Sequence, residues 1–92
     1  MSYALFVKVK IDPSRWEEAR KQRKEVVVPR VTGSPGFVNA LWFGNGIDNG
    51  HAVIVYETKE HAEQAASKVN FDPSDAAQQD GPTSVFEVYG SA

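Results

Sequence analysis

Residues 37–43, Phe-Val-Asn-Ala-Leu-Trp-Phe, are apolar at odd and even positions alike. A strand with one face in water alternates apolar and polar side chains, so this stretch requires cover on both faces. Ala52-Val53-Ile54-Val55-Tyr56 and Val85-Phe86-Glu87-Val88-Tyr89 share that two-sided character. A chain of 92 residues has limited cover to offer. It buries about 60–65% of the surface it exposes unfolded. Its 22 Leu, Ile, Val and Phe residues suffice for one modest core in a single domain spanning 1–92.

The elements around those strands follow from punctuation and periodicity. Tyr3 to Ile11 reads as a strand with Tyr3, Leu5, Val7, Val9 and Ile11 on one face and Ala4, Phe6, Lys8 and Lys10 on the other. Asp12-Pro13 ends it and opens a helix, with Ser14-x-x-Glu17 as a competing cap. That helix is expected to run to about Val28, where Pro29 opposes continuation, and to carry Trp16, Ala19, Arg23 and Val26 or Val27 on one stripe bordered by Arg20. Gly33-Ser34-Pro35-Gly36 is a turn into the strand Phe37 to Phe43, and the Gly- and Asn-rich residues 44–50 form a hairpin into His51 to Glu57. Thr58 caps a second helix, about Lys59 to Val69, whose Ala62, Ala65, Ala66 and Val69 make a narrow face able to lie close to a sheet. Asn70 to Pro82 is a polar connection in which Asp72-Pro73-Ser74 echoes Asp12-Pro13-Ser14 and is expected to start one helical turn; a last strand covers about Ser84 to Tyr89.

The order β-α-β-β-α-β is the split βαβ pattern of α+β ferredoxin-like domains, with a four-stranded antiparallel sheet. Two helices cover one face. The other face is too apolar for water, and a second protomer's sheet is the expected cover, which makes the chain a homodimer.

Several chemistries are excluded or weakened. Without cysteine there are no disulfides, thiolate metal sites or cysteine nucleophiles, and the expected compartment is the cytoplasm. Lys8 and Lys10 interrupt the N-terminal apolar residues, so no secretory leader is expected there, and no stretch reaches membrane-spanning length. A formal charge of −2 gives no general attraction to nucleic acid or to an anionic membrane. Six of the ten cations lie between Arg15 and Arg30, but Glu17, Glu18 and Glu25 are spaced to pair with them along a solvated helix. His51 and His61 flank opposite ends of the third strand, on the order of 20 Å apart at ~3.3 Å per residue, and cannot share a metal within one protomer; no metal is expected. Residues 44–50 join two strands rather than a strand and a helix, which sets them apart from phosphate-binding loops. No Gly-x-Ser-x-Gly elbow, His-Glu-x-x-His pair or RNA-recognition signature occurs.

The unit ending in VVVPRVTGSPGF, the strand and helix HAVIVYETKEHAEQAA and the closing VFEVYG together resemble the dimeric α/β-barrel superfamily, and within it the antibiotic-biosynthesis-monooxygenase-like domains. The resemblance covers Tyr3 to Val69 and Val85 to Tyr89. It implies sheet-to-sheet homodimers with a small-molecule cavity between helices and sheet. Some members oxidise aromatic substrates without a cofactor, some degrade haem, and many have no assigned activity. The haem degraders use an Asn on the first strand, a Trp near the end of the third and a His on a later helix. Here those places hold Val7 or Lys8, Tyr56 and a segment, Asn70 to Pro82, without histidine, so neither haem nor any other cofactor is expected.

If the hairpin pairs Phe43 with His51, then Val38, Ala40, Trp42, Ala52, Ile54 and Tyr56 share one face, and Phe37, Asn39, Leu41, Val53 and Val55 the other. The first set mixes small and large side chains and leaves a hollow. Trp16 and Arg23 on the first helix can close it, Arg23 supplying a cation for an acidic or phenolic ligand. The expected ligand-binding residues are therefore Trp16, Arg23, Ala40, Trp42, Ile54 and Tyr56. The expected proton-handling residues are His61, in the first turn of a helix, and Tyr56. The expected function is homodimeric binding of a small aromatic or apolar molecule, with cofactor-independent oxidation of a small aromatic compound as the activity the resemblance implies, and a non-catalytic dimeric ligand-binding or interaction domain as the alternative.

Overall fold

The computed structural model describes residues 1–92. Strand β1 (Tyr3–Ile11) is central. One edge pairs antiparallel with β3 (Asn49–Tyr56) along its whole length, from Tyr3 opposite Tyr56 to Lys10 opposite Asn49. β3 in turn pairs with β2 (Phe37–Phe43). The other edge of β1 is shared by two short strands: β4 (Ala77–Gln79) beside Val9 to Ile11, and β5 (Ser84–Glu87) beside Tyr3 to Phe6. The result is the expected α+β ferredoxin-like sheet, antiparallel throughout, with its last edge in two pieces rather than one strand.

Two features of the polar connection differ from expectation. Asp72-Pro73-Ser74 forms a capped turn without a helix, and the chain then joins the sheet as β4. Asp80 keeps the ladder by donating its N–H to the Lys8 carbonyl at 2.8 Å. Gly81, at φ 87°, and Pro82, which has no N–H to give, then lift the chain off the edge before β5 returns to it.

The first helical arm runs farther than Pro29 led us to expect. Asp12 caps a single 3₁₀ turn (Pro13–Arg15), α1 follows (Trp16–Gln22), a π-helical stretch (Arg23–Val27) comes next, and α2 (Val28–Thr32) continues the rod to Gly33. Proline in a regular helix would lack a donor and strike the carbonyl of Glu25, four residues back. The π stretch removes both problems. Val28 donates to the Arg23 carbonyl five residues back, and Pro29 falls in the first turn of α2, where no intrahelical donor is required.

Helix α3 (Lys59–Ser67) is capped by Thr58, whose hydroxyl accepts the His61 N–H at 3.1 Å. Its alanine face, with Ala62 fully buried, lets it rest directly on β1, β3 and β5. In the first arm α2 packs on β2, and α1 meets the sheet where its buried Ala19 clusters with Ile11 of β1 and with Ala76. The buried strand residues Leu5, Val7, Ile11, Ala52, Ile54 and Tyr56 all look toward the helices.

The hairpin has Phe43 opposite His51, Trp42 opposite Ala52 and Ala40 opposite Ile54, as expected. A bulge between Phe37 and Asn39 then corrects the near end: Phe37 pairs with Tyr56 and packs on the core, while Val38 is the extra residue and is exposed. On the face away from the helices lie Phe6, Leu41, Phe43, Val53, Val55 and Phe86, of which Leu41 is 63% and Phe86 56% exposed. No helix is long and apolar enough to cross a membrane.

Candidate functional site

Beside the contact of α1 with β1, a cavity of about 400 Å³ runs between the helical arm and the sheet. Leu5 and Val7 of β1 and Ala52 and Ile54 of β3 supply an apolar wall, and Trp42 of β2 adds a flat one. At one end Trp16 also borders the cavity, and its indole N–H donates to the Ile47 carbonyl at 2.6 Å, tying the start of α1 to the hairpin loop. The Arg20 guanidinium lies over that indole at 5.5 Å and pairs with Glu17 at 3.1 Å.

Tyr56 marks the other end. The residue is 1% exposed, and its hydroxyl lies 2.9 Å from the Ser34 hydroxyl. Ser34 Oγ–H is committed to the Val31 carbonyl, so the Tyr56 proton goes to Ser34 and a phenolic lone pair is left over.

Of the residues expected to bind a ligand, Trp16, Arg23, Trp42, Ile54 and Tyr56 all border this one cavity. Ala40 packs against the core beside it without lining it. His61 is not among the lining residues: its ring lies against Gly36, with Nδ1 2.9 Å from the Thr58 hydroxyl. The His51 backbone segment borders the cavity, but its ring stacks between Phe6 and Phe43, at 5.7 and 5.1 Å, on the opposite face of the sheet, and its Nδ1 has no partner. No group of three His, Asp or Glu side chains is placed to hold a metal ion.

Sequence reasoning missed Ser34, Arg30, Lys68 and Phe71, which also line the cavity. Ser34 was hidden inside a turn motif. Arg30 had a readable signal, since Trp16, Arg23 and Arg30 recur every seven residues, close to two helical turns. The lining contains four cations, Arg20, Arg23, Arg30 and Lys68, and no Asp or Glu, although the chain has 12 acidic residues.

No family model matches the chain, and no curated protein matches it. Among solved structures, the chain is similar to the haem degrader MhuD from Mycobacterium tuberculosis, in a structure with two haems bound in its active site. The TM-score is 0.67 at 19% sequence identity, covering 100% of this chain and 99% of that one. The likeness is one of fold: the ferredoxin-like α+β architecture read from the sequence is shared by the two chains.

Proposed function

We propose that this chain is a homodimer that binds a small aromatic molecule between its helical arm and its sheet, and that it oxidises that molecule with dioxygen and no cofactor, as antibiotic-biosynthesis-type monooxygenases do. The observation that carries the reading is the cavity, about 400 Å³ with apolar side walls and polar groups along the arm and at the ends. That volume lies within the range of small-molecule sites. Homodimerisation is supported by the exposed apolar sheet face, and the absence of cysteine supports a reducing, cytoplasmic setting.

Oxidation without a cofactor requires the substrate to supply the electrons. A phenol does this as its phenolate. Arg23 is the cation to stabilise that anion, and the free lone pair of Tyr56 can accept and orient a phenolic O–H. For a phenol or naphthol with a free para position, dioxygen takes the phenolic hydrogen and the para C–H hydrogen into one water and leaves its second oxygen as the new carbonyl of the quinone. His61 has less support as a proton carrier, since it lies outside the lining. The haem of MhuD is not carried over to this chain, because neither imidazole ring faces the cavity and an axial histidine is a common handle for haem iron.

Oxygen uptake with a panel of phenols and naphthols tests the reading. We expect uptake that depends on the phenol and falls at least tenfold in Arg23→Gln. Binding without uptake would favour the second reading, a non-catalytic ligand-binding dimer, which gains support from the lack of any carboxylate or imidazole base facing the cavity.

A further inference from the structure

We infer that the cavity selects anions, and that Arg23 is the residue that recognises the acidic group of its ligand; this rests on the ligand-binding reading above. Of the ten Lys and Arg residues, only Arg15 and Arg23 are half-buried; the other eight are exposed. Arg15 is fully engaged: it pairs with Glu18 at 2.7 Å and donates to the Ser74 carbonyl at 2.8 Å. Arg23 has no ion pair, and the hydrogen bonds made by arginine side chains belong to Arg15 and Arg20. Withdrawing a guanidinium from water without an acceptor is unfavourable, and a bound carboxylate, sulfonate or phenolate would meet its planar fork of donors.

The surroundings favour the same class of ligand. Arg20, Arg30 and Lys68 share the lining with Arg23, and no carboxylate there competes with an incoming anion. Arg20 is already occupied by Glu17 and Trp16, and Arg30 and Lys68 are exposed, which leaves Arg23 as the sheltered, uncommitted cation. Arg23 also opens the π-helical stretch, whose position is set by Pro29. The helix geometry that places Arg23 in the cavity lining is thus part of the arm's own construction. Arg23 and Ser34 are separated by 11 residues of arm and turn, on the order of 16 Å at ~1.5 Å per residue, so an acid at Arg23 leaves the rest of the ligand directed along the aromatic walls toward Tyr56.

Two fluorescent probes with the same aromatic frame decide it: anilinonaphthalenesulfonate, an anion, and N-phenylnaphthylamine, which is neutral. We expect the folded wild-type protein to bind the anion at least tenfold more tightly. Arg23→Gln should weaken the anion by about ten- to a hundredfold, the range of one charge-assisted hydrogen-bonded contact, and leave the neutral probe unchanged. Lys24→Gln, which removes an exposed neighbouring charge that does not line the cavity, should alter neither. Equal binding of the two probes, or equal loss of both in Arg23→Gln, would overturn the anion inference while leaving a ligand cavity. Binding of neither would overturn the cavity reading itself. The melting temperature of ligand-free Arg23→Gln should be unchanged or higher than that of the wild type; a fall would mean that the fold itself uses Arg23 and would also overturn the inference.

Discussion

Asp12 and Asp72 each head the same three residues, Asp-Pro-Ser, and do the same local work. Asp12 Oδ1 accepts the Ser14 N–H at 3.0 Å and its hydroxyl at 2.7 Å; Asp72 Oδ1 accepts the same two groups of Ser74 at 2.9 and 2.6 Å. The serine side-chain bond, followed by its backbone bond, holds each carboxyl below the usual 3.8. Such bonds favour the ionised form in the folded chain, so their stabilisation is present above the unfolded carboxylate range and is lost as pH falls through the lowered folded value. Arg15 does the same for Glu18, whose carboxyl is also held low. Replacing both Ser14 and Ser74 by alanine should therefore cost stability at neutral pH and flatten its acid dependence. Urea unfolding at a series of pH values from about 7 to 2 would show the wild-type and double-variant curves converging at the acid end. Parallel curves would mean that the two aspartates do not contribute as their hydrogen bonds indicate.

At the scale of elements, Gly36 shows how tightly the turn into β2 is joined to the start of α3. It adopts φ 76°, its carbonyl accepts the Glu57 N–H at 2.8 Å, and a Cβ built there would fall on the His61 ring. Gly36→Ala should cost about 1–3 kcal/mol, from the left-handed backbone and the displaced imidazole together, read as a lowered urea midpoint. A second variant, His61→Ala, should recover the steric part of that loss. The elements themselves were legible wherever one local rule decided them: the β1 alternation, the Asp12 and Thr58 caps, and the Phe43–His51 register of the hairpin. They were not legible where two rules competed. Pro29 reads as a stop, yet a π-helical stretch just before it accommodates the ring. Val38 fits the alternating pattern, yet a bulge takes it out of register, and no residue type there signals it. β4 is three residues with two glutamines, and only its partner β1 makes it a strand. For the site, the aromatic walls and Arg23 followed from register and helix spacing. Ser34 did not, because its role depends on where Tyr56 ends.

The whole molecule has more surface than its mass calls for. Its accessible surface is 6052 Å², against about 5,300 Å² for a typical folded monomer of 10.1 kDa, and its radius of gyration is 13.0 Å where about 12 Å is usual. Only 10 of the 92 residues are buried, so the isolated chain has a small core for its length. One contiguous part of the exposed apolar surface is the sheet face opposite the helices, where Leu41, Phe43 and Phe86 stand out beside Phe6 and Val53. A second copy laid sheet against sheet would cover that face on both molecules at once, and in a two-fold interface every residue acts twice. Leu41 stands opposite Val53 on β3, well away from the cavity wall, so changing it tests assembly without touching the ligand site. Burying the rest of a leucine side chain contributes about 1–2 kcal/mol, or about 2–4 kcal/mol for the symmetric pair, and a carboxylate adds desolvation and like-charge repulsion. Leu41→Asp should therefore weaken dimerisation at least ~30-fold while the secondary structure persists. Light scattering at micromolar concentration should give a dimer for the wild type and a species near 10 kDa for the variant, with a melting temperature that depends on protein concentration only in the former. A wild-type chain that stays monomeric with a concentration-independent melting temperature would rule out the sheet-to-sheet dimer, and the apolar face would then need another explanation.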